Sequence, residues 1–535
     1  MRGLILATAL CATAANAAPP ISPERLSADV KVLASDAFEG RGPGTAGEKK
    51  TLDWLIAKLK SLGLQPGAAN GSWTQPVPLV HTQITGGTMQ AGTTPLTQKR
   101  EIFVSTVRPV DRVKIDKAPM VFVGYGVTAP ERKWDDFKGV DLKGKVAVFL
   151  VNDPDFEAAD SEPVAGVFGK RRMTFYGRWT YKFEEAARRG ALAALVVHDT
   201  PGAGYGWNTV IAPGGENYDI VRKPGDERVL LQGWLEGEAA TGLFKQAGLD
   251  LAALRIKARR ADFTPVPLTG VGFSADLGVT QSRADSANVL AKLPGTKRPD
   301  EVVMFGSHWD AFGVPDATGA TVRAGANDDA LGMAGLFEIA RALKAKPTAR
   351  TSVFAFWTAE ERGLLGSEAY AVNPVYPANK TVANITLDIL QTGGASRDVM
   401  LVGDGQNDLQ GDLVKAAAAQ GRTVTPEALP ERGLFYRADH FPLARRGVPT
   451  LLFMAISGAP DLVNGGRTAG EAWLKSYMAC YHQPCDRWSP TMDFKSAADD
   501  VALALTIGRD IADSDRWPMW NPDSEFYAVR KASRP

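Results

Sequence analysis

Apolar and polar positions divide the chain into three textures. Over residues 22–64 apolar side chains recur at helical spacing: Pro23-Glu24-Arg25-Leu26 opens one helix, and residues 46–62 carry a second. Between them Phe38-Glu39-Gly40-Arg41-Gly42-Pro43-Gly44-Thr45 predicts a glycine-rich loop. Over residues 73–263 the pattern turns to short β-rich runs broken by Gly and Pro, as at 120–126 and 145–151, with one helix at 181–189 leading into the apolar run 191–197. From Asn288 onward, apolar strands (302–306, 351–357, 385–389) alternate with helices such as 331–343. That alternation predicts an α/β fold, a mostly parallel central sheet flanked by helices, with ligand groups at the carboxyl ends of its strands. The β-rich stretch then reads as an insertion. The expected boundaries are 1–17 leader, 18–72 first part of the main domain, 73–265 insertion, 266–513 second part and 514–535 tail, the tail giving no functional signal.

Length supports this division, because 535 residues exceed what one core usually serves. The 61 Lys and Arg nearly balance 60 Asp and Glu, so no field of one sign favours nucleic acid or anionic lipid. Met1-Arg2, the apolar run 3–14 and Ala15-Asn16-Ala17 have the order of a cleavable secretory leader, which predicts a periplasmic or secreted protein with no membrane attachment after cleavage. Cys11 raises the alternative of a lipoprotein leader, but Leu10 stands before it where a small residue is expected. Cleavage leaves Cys480 and Cys485, an even pair close in sequence that predicts a small-loop disulfide in an oxidising compartment.

Five segments of the second part carry candidate chemistry. His308 and Asp310 end a buried strand two residues apart, so Asp310 can orient the His308 ring; alone, such a pair is often only solvated. Asp328 and Asp329 precede a helix, where capping would explain them equally well. Glu360 and Glu361 follow an apolar strand, where a solvated charged turn is the alternative. Asp388 interrupts the apolar run 385–390, a costly place for a carboxylate unless it is paired or metal-bound. His482 lies in the loop that the disulfide would close, and the chain has only five His. Together these are two imidazoles and three carboxylates, ligand types suited to a pair of zinc ions sharing one bridging carboxylate.

In this order the residues resemble the co-catalytic zinc aminopeptidases, a family that also includes glutamate carboxypeptidase II and the non-catalytic transferrin receptors. The resemblance covers residues 22–72 and 268–513 and is most specific over 308–310, 325–329, 359–367 and 481–486. It implies that His308 and Asp388 hold one zinc, Glu361 and His482 a second, and that Asp328 bridges them. It also implies a cis Asp328–Asp329 bond, Glu360 as general base toward a metal-bridging hydroxide, Asp310 supporting His308, and Tyr481 as oxyanion donor. Arg437, in Tyr436-Arg437-Ala438-Asp439-His440, matches a substrate-contacting arginine of some bacterial members, with Ala438 in place of the usual Ser. Residues 140–146 and 186–191 resemble a protease-associated domain. The expected function is removal of N-terminal residues from peptides. The rivals are a carboxypeptidase of the same fold, a single-zinc glutaminyl cyclase and a non-catalytic receptor-like protein.

Overall fold

The computed structural model describes residues 21–534 except 213–214, 227 and 315–320. The expected leader, with Cys11, lies outside the described residues. The chain opens with α1 (Pro23–Leu33) and α2 (Ala46–Ser61). Ser22 caps α1 by accepting from the Arg25 N–H at 3.2 Å, and Pro23 begins it with the φ a helix needs. Leu26, Val30 and Leu33 form its buried stripe. The glycine-rich stretch between the helices contains a 3₁₀ turn, Asp36–Arg41, with Glu39, Gly40 and Arg41 at positive φ.

The β-rich region follows. Its strands of four or more residues are β1 (Thr74–Ala91), β2 (Ile102–Ser105), β3 (Arg112–Phe122), β4 (Val146–Leu150), β5 (Ala193–Val197), β6 (Glu216–Ile220) and β7 (Leu231–Leu235), with helix α3 (Trp179–Arg188) before β5. Strand β8 (Val266–Leu293) then spans 28 residues. Its first half pairs with β3, much of its length pairs with β1, and its last five residues pair with the second part of the chain. The boundary expected at 265/266 therefore falls at the start of a strand that belongs to both parts. The changeover occurs within β8, because β-pairing can pass continuously from one partner strand to the next along a single backbone.

The second part comprises β9 (Arg298–His308), α4 (Leu331–Ala345), β10 (Arg350–Trp357), α5 (Leu365–Val372), β11 (Thr381–Thr386), β12 (Asp398–Val402), β13 (Thr423–Pro426), β14 (Thr450–Phe453), α6 (Gly466–Cys480), α7 (Phe494–Asp513) and α8 (Tyr527–Ser533). The sheet runs β13-β12-β14-β11-β9-β10-β8-β3-β4-β5-β7-β2. Around the centre, β9 pairs parallel with β10 and β11, and β11 with β14. Strand β8 meets β10 antiparallel, as β12 meets β14, so the whole sheet is mixed. Helix α4 is apolar almost all round and lies in the same core as Phe305, Phe354 and Phe356 of the central strands. The tail is packed as well: Trp520 and Phe526 share a core with Phe435 and Phe441, and Arg530 donates to the carbonyls of Ala378, Thr381 and Val382.

Candidate metal centre

The three parallel strands β9, β10 and β11 end side by side, and each delivers acidic or imidazole groups to the same edge. His308 is the last residue of β9. Glu360 and Glu361 follow β10 by three and four residues. Asp388 is not inside a strand, as its apolar surroundings led us to expect; β11 stops at Thr386 and Asp388 lies two residues beyond it. A strand end leaves the carboxylate free to face a cavity, where mid-strand burial would have demanded a partner within the sheet. Asp328 lies in the turn Ala326–Ala330 that leads into α4, and its bond to Asp329 is cis. His482 follows α6, in the loop closed by the Cys480–Cys485 disulfide, whose Cα atoms are 5.1 Å apart.

These side chains form two donor groups, His308/Asp328/Asp388 and Asp328/Glu361/His482, with the donor atoms of each within 4.8 Å of one another. Asp328 belongs to both. One of its oxygens lies 3.1 Å from His308 Nε2 and the other 3.2 Å from His482 Nε2, while Glu361 Oε2 is 3.1 Å from that same His482 nitrogen. Asp388 Oδ1 is buried without a hydrogen-bond partner. Burial, and then the charge of Asp328, drives the Asp388 carboxyl well above its usual range. Burial raises Glu361 in the same direction, whereas hydrogen bonds from His308 and His482 hold Asp328 below its usual range despite burial. A desolvated group of carboxylates with an orphaned oxygen and two convergent imidazoles has the donor chemistry of zinc, so the residues fit that ion.

The surroundings hold this arrangement. Asp310 faces His308 with two groups: its backbone carbonyl lies 3.0 Å from His308 Nδ1 and its carboxylate 3.7 Å. That carboxylate also accepts the N–H groups of Glu360 at 3.0 Å and Glu361 at 3.4 Å, fixing the glutamate loop. The Asp486 carboxylate likewise accepts from the N–H groups of Asn327 and Asp328. Three residues beside or within the donor set, Ala359, Ile389 and His482, have φ near +52°, +53° and +60°. Such backbone costs about 1–3 kcal/mol per residue and persists only where its surroundings impose it, which at β-branched Ile389 is the most demanding case.

Sequence reasoning missed Arg41. Fully buried, it donates to the carbonyls of Trp309 (2.8 Å), Leu33 (3.0 Å), Ala324 (2.6 Å) and Gly325 (2.9 Å). It thereby ties together the chain beyond His308 and the chain before Asp328. A Cβ at neighbouring Gly40 would lie 2.5 Å from the Arg323 carbonyl, so only glycine allows this approach. The one available signal was an arginine between two glycines.

Residues 288–505 match the family model for peptidase family M28. Over those residues the chain is similar to peptidase family M28. The likeness to curated proteins is partial. Leupeptin-inactivating enzyme 1 of Streptomyces exfoliatus is 29% identical over 255 residues, 46% of this chain and 53% of that one. A probable leucine aminopeptidase 2 of Aspergillus oryzae is 26% identical over 273 residues, 49% of this chain and 52% of that one. The matched region thus spans about half the length of these relatives. Among solved structures, an aminopeptidase from Aneurinibacillus sp. strain AM-1 aligns over 93% of this chain and 96% of its own, with TM-score 0.51 and 19% identity, a likeness of fold.

A cavity of about 970 Å³ opens on the donor groups and is walled by both parts of the chain. Glu360 and Tyr481 line it beside Asp328, Glu361, Asp388 and His482. The Tyr481 ring lies 3.6 Å from that of His482, and burial keeps its hydroxyl protonated far above its ordinary range. Arg437 also lines the cavity, together with Arg178, which precedes α3 in the β-rich region. Burial, and then the charge of Arg437, lowers Arg178 to about 10, and its Nε is buried without a partner. No sequence pattern links these two arginines, which lie more than 250 residues apart.

Proposed function

We propose that the chain is an exported metallo-exopeptidase that removes N-terminal residues from peptides, with two zinc ions held by His308, Asp328 and Asp388 and by Asp328, Glu361 and His482. The observation that carries this reading is the pair of donor groups sharing Asp328 at the floor of a cavity large enough for a short peptide. When bound, the zinc pair supplies Lewis acidity that polarises the scissile carbonyl and eases deprotonation of the attacking water. Glu360 belongs to neither donor group, and its loop is set by the Asp310 carboxylate. It is the general base, taking a proton from the attacking water and returning it to the leaving amine. Tyr481 remains protonated and donates its hydroxyl hydrogen to the oxygen on which charge develops. The leader pattern before Ala18 and the Cys480–Cys485 disulfide support export. The β-rich region, which we assign as a protease-associated domain, contributes the far wall of the cavity.

Glu360→Gln tests the central role. The variant is expected to retain its zinc, measured by elemental analysis, while kcat falls about 10²–10⁴-fold, the usual worth of a positioned proton carrier. A Gln variant with full turnover excludes Glu360 as the base.

A specific observation also favours a second reading. Arg178 and Arg437 lack a carboxylate partner among the described residues, and such a pair suits a peptide's terminal carboxylate. A carboxypeptidase of the same fold would use it directly at the cleaved end. Hydrolysis of N-blocked, but not C-amidated, peptides would select that reading over the aminopeptidase.

A further inference from the structure

Beyond Arg178 and Arg437, the arginines of the cavity wall fall into two groups. Arg222, Arg228 and Arg445 are tied to acidic partners: Arg222 to Asp219 at 2.7 Å, Arg228 to Glu184 at 3.5 Å and Arg445 to Glu184 at 2.7 Å. Arg323 and Arg362 are not. Both guanidinium groups lie over the ring of Phe312, with their central carbons 5.6 and 5.3 Å from its centroid. Arg362 is also 4.9 Å from the ring of Tyr218, contributed by β6 of the β-rich region. Their Nε atoms are buried without hydrogen-bond partners, and no carboxylate among the described residues pairs with either. The nearby Glu216 is engaged elsewhere, with His81 at 3.0 Å and the Tyr218 hydroxyl at 3.1 Å.

Phe312 places this pair next to the chemistry. Its ring lies 4.6 Å from that of His482. The aromatic face offsets part of the arginines' charge and sets their planes, but it uses none of their N–H groups. Those forks match a carboxylate, which two N–H groups can hold at once. We propose that Arg323 and Arg362, mounted on Phe312, recognise an acidic side chain of the substrate on a residue flanking the scissile bond, so that the preferred substrates are Asp- or Glu-containing peptides. This rests on the exopeptidase reading of the same cavity and adds a substrate class to it.

The test uses the zinc-loaded full chain with Leu-Leu, Glu-Leu, Leu-Glu and Lys-Leu. All four carry the same termini, so differences report side chains alone. At least one acidic peptide is expected to exceed Leu-Leu in kcat/KM by about tenfold or more, and Arg323→Met with Arg362→Met to reduce that ratio by about tenfold or more, as for loss of charged hydrogen bonds. Arg362→Lys should restore part of the ratio. Arg260→Met, a surface control whose arginine pairs with Asp262 at 2.8 Å, should leave it in place. Calorimetric binding of the same peptides to the Glu360→Gln protein gives a second reading that needs no turnover. If no peptide is cleaved, the exopeptidase reading fails, and the binding ratio alone decides on the arginines. Equal handling of acidic and neutral peptides, or a ratio unmoved by the double substitution, overturns the proposal.

Discussion

At the scale of single residues, the donor set was readable because each donor sits in a short contiguous motif at a strand or helix end, where pattern marks both position and chemistry. His308, Asp328, Glu361, Asp388 and His482 come together in space. The groups that hold them were far less legible. Arg41 reaches carbonyls up to 284 positions away, and no local pattern encodes such a contact. Its removal should be severe. Arg41→Met leaves the carbonyls of Trp309, Ala324 and Gly325 without their buried donor, which is expected to cost about 3 kcal/mol or more in urea denaturation. The same change should weaken zinc retention about 10–100-fold in competition with a chelator, the usual consequence of losing a group that orients ligands. A variant that is destabilised yet holds zinc as firmly as the parent would make Arg41 a core residue and nothing more.

Among elements, helices and central strands were legible because periodicity over eight or more residues survives any tertiary context. The extent of β8 was not, since its alternation over residues 271–279 breaks at the run of non-buried residues 280–285 before the strand joins its second partner. The C-terminal tail was opaque for a different reason. Its aromatics follow no period, and their partners lie in the 434–441 turn, far away in sequence. Trp520 is 1% exposed and shares its core with Phe435, Tyr436 and Phe441, and that turn carries Arg437. Trp520→Ala is therefore expected to cost about 3–5 kcal/mol in stability, as large aromatic truncations do. It should also raise KM, because the turn bearing Arg437 loses its backing. Unchanged KM in a destabilised variant would separate the tail from the cavity.

For the whole molecule, the decisive balance is between buried negative charge and the cations that compensate it. Burial is the leading cause that pushes Asp388 and Glu360 well above their ordinary values and Asp329 to about 8 and Asp439 to about 7. These groups hold protons in the folded metal-free chain that they release when unfolded, so each stabilises the fold below its unfolded pKa near 4 and loses that contribution as pH rises through its folded value. His482, raised to about 10, adds a loss of the same sign at higher pH, beginning above its unfolded value near 6.5. Asp328 works in the opposite sense, its lowered pKa giving stability that is present above pH 4. The carboxyls with raised values outnumber it. The Tm of chelator-treated protein should therefore fall between pH 5 and pH 8. With zinc bound, deprotonation is what the ligands require, and metal affinity rises with pH over the same interval. The gap in Tm between zinc-loaded and chelated protein should accordingly widen from pH 5 to pH 8 in scanning calorimetry. A gap that stays constant would mean that these carboxyls exchange no protons when the metal leaves, and would remove the electrostatic case for a cation at Asp328.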